Sequence, residues 1–474
     1  MRLKALVGDM ADIPDLDVKG FAIDHRKVAP GYVFGAVRGT IFNGEDFIDE
    51  AIAAGASVVV ARPEASVTGA FHLADASPRH AFARIAARYF APFPETVVAV
   101  TGTNGKTSTV ELLRQLWAMG GHRAASIGTL GVTTSADQVS TGLTTPDILT
   151  FLSNMAGLAR EGITHAAYEA SSHGLSQYRS EGLPVKAAAF TNLSRDHLDY
   201  HGTMEAYLEA KLRLFTEVVD ADGTAVVWTD DAASQRVIEI ARERGLKLVT
   251  VGAEGDAIRL VDRRATTLGQ VLTLDVDGRR AQLELPLIGA YQAANALVAA
   301  GLAIATGQGI DPVLDRLARV QPVRGRMERA AISRCGAPIY VDYAHTPDGL
   351  KAAAEALRPH TDGRLIVLFG AGGDRDRGKR PEMGEAATTL ADIVIVTDDN
   401  PRSENPASIR QQILAGAPGA IEIAGRREAI FEAVQQARPG DVVLIAGKGH
   451  EQGQIVGERV LPFDDVAVAR ECAS

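Results

Sequence analysis

The chain has 474 residues, 46% of them hydrophobic, more than one compact core can use, so two to four domains are expected. Its 49 basic and 59 acidic residues leave a formal net charge of -10, which argues against a protein that grips nucleic acid through a general basic surface. Cys335 and Cys472 are the only cysteines, so neither a disulfide framework nor a multi-cysteine zinc site can be built, and a reducing cytoplasm fits.

Taken in chain order, the N-terminal stretch carries acidic residues early and lacks an apolar core with a small-residue cleavage site, so it does not read as a secretion signal. No apolar run reaches the roughly 18 residues a membrane helix needs. From 18 to about 93, short strands at 21–23, 31–37 and 57–60 and helices at 45–54 and 78–90 are predicted, the last with Phe82, Ile85 and Tyr89 on one side. This unit shows no catalytic cluster and reads as a binding module. PFP at 92–94 marks its end.

From 96 to about 320, apolar runs at 96–100, 165–168, 186–190, 224–228 and 246–251 alternate with helical stretches, which implies a mainly parallel sheet covered on both faces. The pattern turns to strand-like alternation at 258–286, with a DG turn at 277–278, before a helix at 291–305. GRMER at 325–329 opens a third unit, whose strands at 339–342, 365–369, 393–397, 421–424 and 442–445 form a second doubly wound α/β domain.

The richest stretch is VTGTNGKTS at 100–108. Gly102 and Gly105 let backbone N–H groups converge on an anion, Lys106 adds positive charge, Thr107 offers a hydroxyl to magnesium, and the following helix aims its positive end at the same point. Val100 stands where the usual phosphate-loop pattern has glycine, and on this segment alone the alternative is a Gly-rich turn that closes a strand–helix unit. Polar clusters follow four strands: YEASSHGLSQYR at 168–179, TNLSRDHLDYHG at 191–202, DYAHTPD at 342–348 and GAGGDRDRGKRP at 370–381. Ser194 or Asp196 alone reads as a helix cap. Glu169 ends a buried strand, where an unpaired carboxylate is costly to ionise, and with His197 it is a candidate magnesium ligand. For His197 the alternative is a histidine satisfied by Asp196 or Asp199. Lys211, beside the apolar stripe Leu208, Leu212 and Phe215, reads by spacing as a surface residue.

These motifs together, with DNPR at 399–402 and GKGHE at 447–451, resemble in kind and order the Mur ligases, the ATP-dependent amide-forming enzymes of peptidoglycan precursor synthesis. The resemblance covers nearly the whole chain. It implies three α/β domains: a UDP-binding one at 1–93, a central phosphate-loop domain at 94–322 and a Rossmann-like one at 323–474. DNPR and GKGHE look like the member that adds meso-diaminopimelate to UDP-N-acetylmuramoyl-L-alanyl-D-glutamate. Carried over by position, Ile23, His25, Thr40, Ile41 and Phe42 hold the UDP end. Leu143, Thr144, Thr145, Ser171, Gln177 and Arg179 hold the pyrophosphate and muramoyl part. Gly102, Thr103, Asn104, Gly105, Lys106, Thr107 and Ser108 hold the ATP phosphates, with Asn295, Arg326, Asp342 and His345 on the nucleotide. Thr107, Glu169, His197 and Lys211 as its N-carboxylated form hold magnesium; Lys106, Glu169, His197 and Lys211 are then the catalytic set. Arg375, Asp399, Asn400, Pro401, Arg402, Gly447 and Glu451 match the diaminopimelate pocket.

The implied protein is a cytoplasmic monomer acting on small molecules, with magnesium as cofactor and ATP as co-substrate, and with neither nucleic acid nor membrane as partner. Three positions depart from the family pattern: His25 for serine, Asn43 for aspartate and Gln292 for asparagine. The competing readings are a sister Mur ligase with another amino acid, a folylpolyglutamate synthetase-like ligase, and a non-catalytic phosphate-loop binding protein.

Overall fold

The computed structural model describes residues 1–8, 13–39, 42–139, 142–266 and 269–474. Among them the strands form three large sheets in sequence order and one small hairpin. The first is a four-stranded parallel sheet of Gly20–Ala22, Tyr32–Gly35, Ala56–Ala61 and Phe71–Ala74. The 45–54 helix resolves into a tight turn, Gly44–Phe47, followed by a helix, Ile48–Ala53. Asn43, one of the three departures, caps that turn by accepting from Glu45 N.

The helix Pro78–Phe90 has the predicted bounds, with Phe82 and Ile85 buried. It packs against the helix Ile148–Arg160 as well as its own sheet, so the first unit and one face of the central sheet share a core. No described helix is long and apolar enough to cross a membrane.

The central sheet is eleven-stranded. Its middle is parallel, in the order Lys247–Gly252, Val219–Trp228, Val185–Phe190, Thr96–Thr101, His165–Glu169, Ala124–Gly128. The continuous apolar run at 97–100 follows from this position. Val97 and Ala99 enter one core and Val98 and Val100 the other, so every side chain of that run is buried. On the second face the helices Lys106–Met119 and Ala290–Ala305 pack together. Ile258–Thr266, Gly269–Val276 and Arg279–Leu285 complete one edge as an antiparallel meander. Its DG turn has Asp277 and Gly278 both at positive φ, the backbone that a two-residue hairpin connection favours.

The third sheet orders Pro338–Asp342, Val442–Ala446, Leu365–Phe369, Ile393–Val396 and Ile421–Glu422 in parallel, with Glu328–Ile332 antiparallel on the edge. All four polar clusters leave the carboxyl ends of strands in the second and third sheets. Those two ends face each other.

Candidate active site

The phosphate loop links the strand Thr96–Thr101 to the helix Lys106–Met119. Gly102 has φ 144° and Gly105 φ 87°, a region open to glycine. A methyl group on the first would strike the Thr191 hydroxyl and one on the second the Asn295 carboxamide, so both glycines also permit close approach. The loop is held by the segment after the strand Val185–Phe190: Thr103 N donates to Asn192 O (2.9 Å), Asn104 N to Asn192 Oδ1 (2.9 Å) and Thr191 Oγ1 to Asn104 O (2.6 Å). Ser194 N donates to Thr103 Oγ1 at 2.9 Å, so Ser194 braces this loop rather than capping a helix. Thr107 and Ser108 are buried.

Two lysines converge here. Lys106 Nζ donates to Gly102 O and Thr103 O, each at 2.8 Å, and Lys211 Nζ donates to the same Gly102 O at 2.7 Å. Lys211 is 1% exposed, which corrects the surface reading drawn from its helical spacing. It comes from the helix Met204–Arg213 and lies 4.3 Å over the ring of Tyr207, one turn earlier, whose hydroxyl donates to Thr103 Oγ1. Burial pushes both amines below the ordinary lysine range, and Lys106 lowers Lys211 further. An aromatic residue four positions before the lysine is the sequence signal that spacing alone overlooked.

Glu169 is 1% exposed and accepts from Thr129 N (2.7 Å) and Thr129 Oγ1 (3.1 Å). Thr129, which the sequence reading missed, follows the strand Ala124–Gly128 and also contacts Thr144 Oγ1. From Glu169 a hydrogen-bonded tract runs outward. Thr145 Oγ1 donates to Glu169 O and touches Ser171 Oγ, Arg179 donates to Thr145 O, and Arg179 also donates to Gln177 Oε1. Leu143 sits beside this tract in sequence and is exposed. Arg79, also missed, has its pKa lowered by burial first and then by the charge of Arg179. On the first unit His25 stacks on Phe47, with centroids 4.5 Å apart and planes 5° from parallel; exposed Phe42 meets Phe47 edge-on, and Ile23 is exposed nearby in sequence. Thr40 and Ile41 lie outside the described residues.

His197 lies in the loop beyond its strand, at φ 53°, with Nε2 3.5 Å from Asp196 Oδ2. Burial lowers its pKa, and Asp196 opposes that shift. His197 thus stands beside Asp196, and the charges of Lys106 and Lys211 are near enough to lower its pKa further. His173, packed 4.9 Å from His197, was not anticipated.

The third sheet roofs the loop. Arg326 donates to Thr107 Oγ1 (3.0 Å) and lies 4.3 Å over the Tyr343 ring. Gln292, a departure from the family pattern, donates to Arg326 O and accepts from Asn295, joining the central helix to that arginine. Asp342 spends its oxygens on Met327 N, Ala344 N and the Tyr291 hydroxyl, so it fixes the turn that carries Arg326. His345 bonds Tyr343 O through Nδ1 and packs on the Tyr343 ring. The Tyr343 phenol is pushed up to about 12, by burial first and then by Glu451, with Asp399 and Glu169 also contributing. One buried phenol thus feels a carboxylate from the central sheet and two from the third.

Those two belong to the last cluster. Asn400 Nδ2 donates to Glu451 Oε2 (2.7 Å), and Asp399 Oδ1 accepts from Asn400 N (2.6 Å). Gly447, at φ 112°, lets the chain pass against Asp399 Oδ2. Arg402, after Pro401, holds φ 50° and donates to Gly373 O (2.7 Å), while Arg375 is exposed. The loop bearing Arg375 is braced by fully buried Arg380, which pairs with Glu404 and donates to Gly372 O.

The oxygens of Thr107 and Glu169 at a phosphate loop suit magnesium, which keeps waters and phosphate oxygens and takes few protein ligands. No three His, Cys, Asp or Glu side chains converge as a metal site among the described residues.

Family models match in chain order. They are the Mur ligase family catalytic domain at 17–90, the Mur ligase middle domain at 100–303, and the Mur ligase glutamate ligase domain at 325–449. The UDP-N-acetylmuramoyl-L-alanyl-D-glutamate--2,6-diaminopimelate ligase of Zymomonas mobilis is 62% identical over 96% of this chain and 95% of its own. Its namesake in Bradyrhizobium diazoefficiens is 50% identical over 100% and 99%. A solved structure of an enzyme of that name aligns over 100% of this chain and 98% of its own, with 34% identity and a TM-score of 0.74. The chain belongs to the Mur ligase family.

Proposed function

We propose that this protein joins 2,6-diaminopimelate to UDP-N-acetylmuramoyl-L-alanyl-D-glutamate with ATP as co-substrate, the reaction its relatives' names describe. The observation that carries the reading is the pair of buried lysines on one phosphate-loop carbonyl, beneath a roof whose far side bears Asp399 and Glu451. Lys106 with the loop N–H groups calls for a polyanion, and the opposite carboxylates call for an ammonium.

A γ-carboxylate oxygen of the D-glutamyl residue attacks the terminal phosphorus of ATP, and the bond to the bridging oxygen breaks to leave ADP and an acyl phosphate. Lys106, the loop N–H groups from Gly102 to Ser108 and Arg326 offset the charge on the transferring group. Asn295 and His345 line the nucleotide, with Asp342 holding Arg326 in place. Thr107, Glu169, His197 and a carboxylated Lys211 would hold magnesium, which would supply neutralisation of phosphate charge. Lys211 acquires that group when its neutral Nζ attacks carbon dioxide: a C–N bond forms, one C=O bond becomes C–O⁻, and a proton leaves the nitrogen.

The diaminopimelate amine, having lost one proton to solvent, attacks the acyl carbon. The C–O bond to phosphate breaks, and the departing phosphate takes the second proton. Arg375 and Arg402 pair with carboxylates of the amino acid and Glu451 and Asp399 with its ammonium, in a wall shaped by Asn400, Pro401 and Gly447. The UDP end lies along Ile23, His25, Thr40, Ile41 and Phe42. Its pyrophosphate and sugar follow the Leu143–Thr145 and Ser171–Arg179 tract, with Arg79 adding positive charge near Arg179. The three functional units are 1–93, 94–322 and 323–474, and the last rotates to admit substrates and closes to exclude water.

The test is product formation, read by mass spectrometry, with the UDP-muramoyl dipeptide, ATP and a panel of amino acids. Tripeptide with diaminopimelate and little with lysine is expected. Equal kcat/KM for the two removes the assignment of the amino acid.

A further inference from the structure

Lys448 enters none of the steps above, yet its side chain is fully buried at the back of the pocket that holds Glu451. Its ammonium has three donors, and all are used: Asn400 Oδ1 (3.2 Å), Glu451 Oε2 (3.0 Å) and Gly453 O (2.6 Å). Asn400 Oδ1 also accepts from Ile455 N (2.9 Å), which fixes the amide so that Nδ2 points at the same Glu451 Oε2. One carboxylate oxygen therefore receives an ammonium and an amide, while Oε1 accepts no hydrogen bond among the described residues. The Glu451 side chain is 31% exposed and the Lys448 side chain 0%. The charge on Oε2 is set from behind, and the part-exposed Glu451 keeps Oε1 as an acceptor.

We propose that Lys448 is a positioning residue for amino-acid recognition: it pins Asn400 and one oxygen of Glu451, presenting the other oxygen to the ammonium of the incoming diamino acid. A buried charge with every proton bonded is costly to assemble and costly to disturb, because removing it takes a donor from three acceptors at once. Glu451 without Lys448 turns toward water, and the ammonium loses a preformed acceptor. All three Lys448 donors are spent on Asn400, Glu451 and Gly453, so its effect falls on one substrate alone.

The inference rests on the proposed reaction, and wild-type enzyme separates the two: if no diamino acid supports product formation by the wild type, it is the reaction that fails. With an active wild type, Lys448→Met and Lys448→Gln are compared by steady-state kinetics in each substrate. Expected is a KM for diaminopimelate raised tenfold or more, kcat within threefold, and KM for ATP and the UDP-dipeptide within twofold. A double-variant cycle supplies the readout that a merely structural lysine does not move: Glu451→Gln added to Lys448→Met costs far less than Glu451→Gln alone. An unchanged KM for diaminopimelate, additive effects with Glu451→Gln, or KM increases shared by all three substrates overturn the proposal. So do variants that both melt below the assay temperature, since Lys448 is then a residue of the fold.

Discussion

Replacing Lys211 with methionine makes a two-sided prediction. The Lys106 and Lys211 bonds to Gly102 O are 2.8 and 2.7 Å, so the two nitrogens lie no farther apart than those lengths end to end, about 5.5 Å. With both charged, at an effective dielectric of about 20, their repulsion is at least about 3 kcal/mol. Methionine fills nearly the same buried volume without the charge, so the unliganded variant, with carbon dioxide removed, is the more stable protein. The gap depends on pH. Burial and Lys106 hold the Lys211 amine well below the ordinary range, so the unfolded chain binds a proton there that the folded chain gives up. Wild-type stability from this group therefore rises with pH toward the ordinary lysine value near 10.4, and the advantage of the variant shrinks by at most about 1.4 kcal/mol per pH unit. Turnover falls about 100-fold or more, the usual scale for losing one electrostatic element of a phosphoryl-transfer site. Urea unfolding from pH 7 to 9, run beside product formation, reads both effects. A variant less stable than wild type at pH 7, or one that keeps full activity, refutes the reasoning.

Gly105→Ala places a methyl group against Asn295 in a left-handed backbone that costs alanine roughly 1–2 kcal/mol; KM for ATP rises tenfold or more while KM for diaminopimelate holds, measured by coupled ADP release. Arg402→Ala removes a charged partner of the amino acid, so kcat/KM for diaminopimelate falls by about 2–3 kcal/mol, or roughly 30- to 150-fold, and that for lysine changes little. Glu404 is held down to about 2, mainly by hydrogen bonds from Arg380. Its contribution is complete above its unfolded value and lost as pH falls from about 4.5 toward 2, so Glu404→Gln loses less stability than wild type over that range in urea titrations.

Strands buried on both faces announce themselves: 97–100 and 365–369 are apolar at every position because two cores take alternate side chains. Ala124–Gly128 was not legible, since its small residues make room for neighbours rather than bulk; a methyl group on Gly128 would strike Glu169. Phe71–Ala74 at a sheet edge was missed because its pairing is tertiary, whereas the hairpin Gly453–Val456 with Arg459–Pro462 was missed despite a local signal, the two-residue turn with Gly457 at positive φ. At the site, glycines and acids were legible where a motif demands them. The braces were not: Thr129, Gln292, Tyr343 and Lys448 act across elements distant in sequence, and spacing along one helix or strand carries no trace of them. Lys211 shows the limit most sharply, as a charged residue beside an apolar stripe that packs inward because the phosphate loop supplies its acceptor.

The central claim is that phosphate passes from ATP to a peptide carboxylate before the amine arrives. Its most direct measurement uses UDP-muramoyl dipeptide carrying oxygen-18 in the D-glutamyl γ-carboxylate, with ATP and diaminopimelate, and reads the inorganic phosphate by mass spectrometry. One labelled oxygen per phosphate released, appearing in step with tripeptide, is the predicted result. Tripeptide formed together with unlabelled phosphate contradicts it.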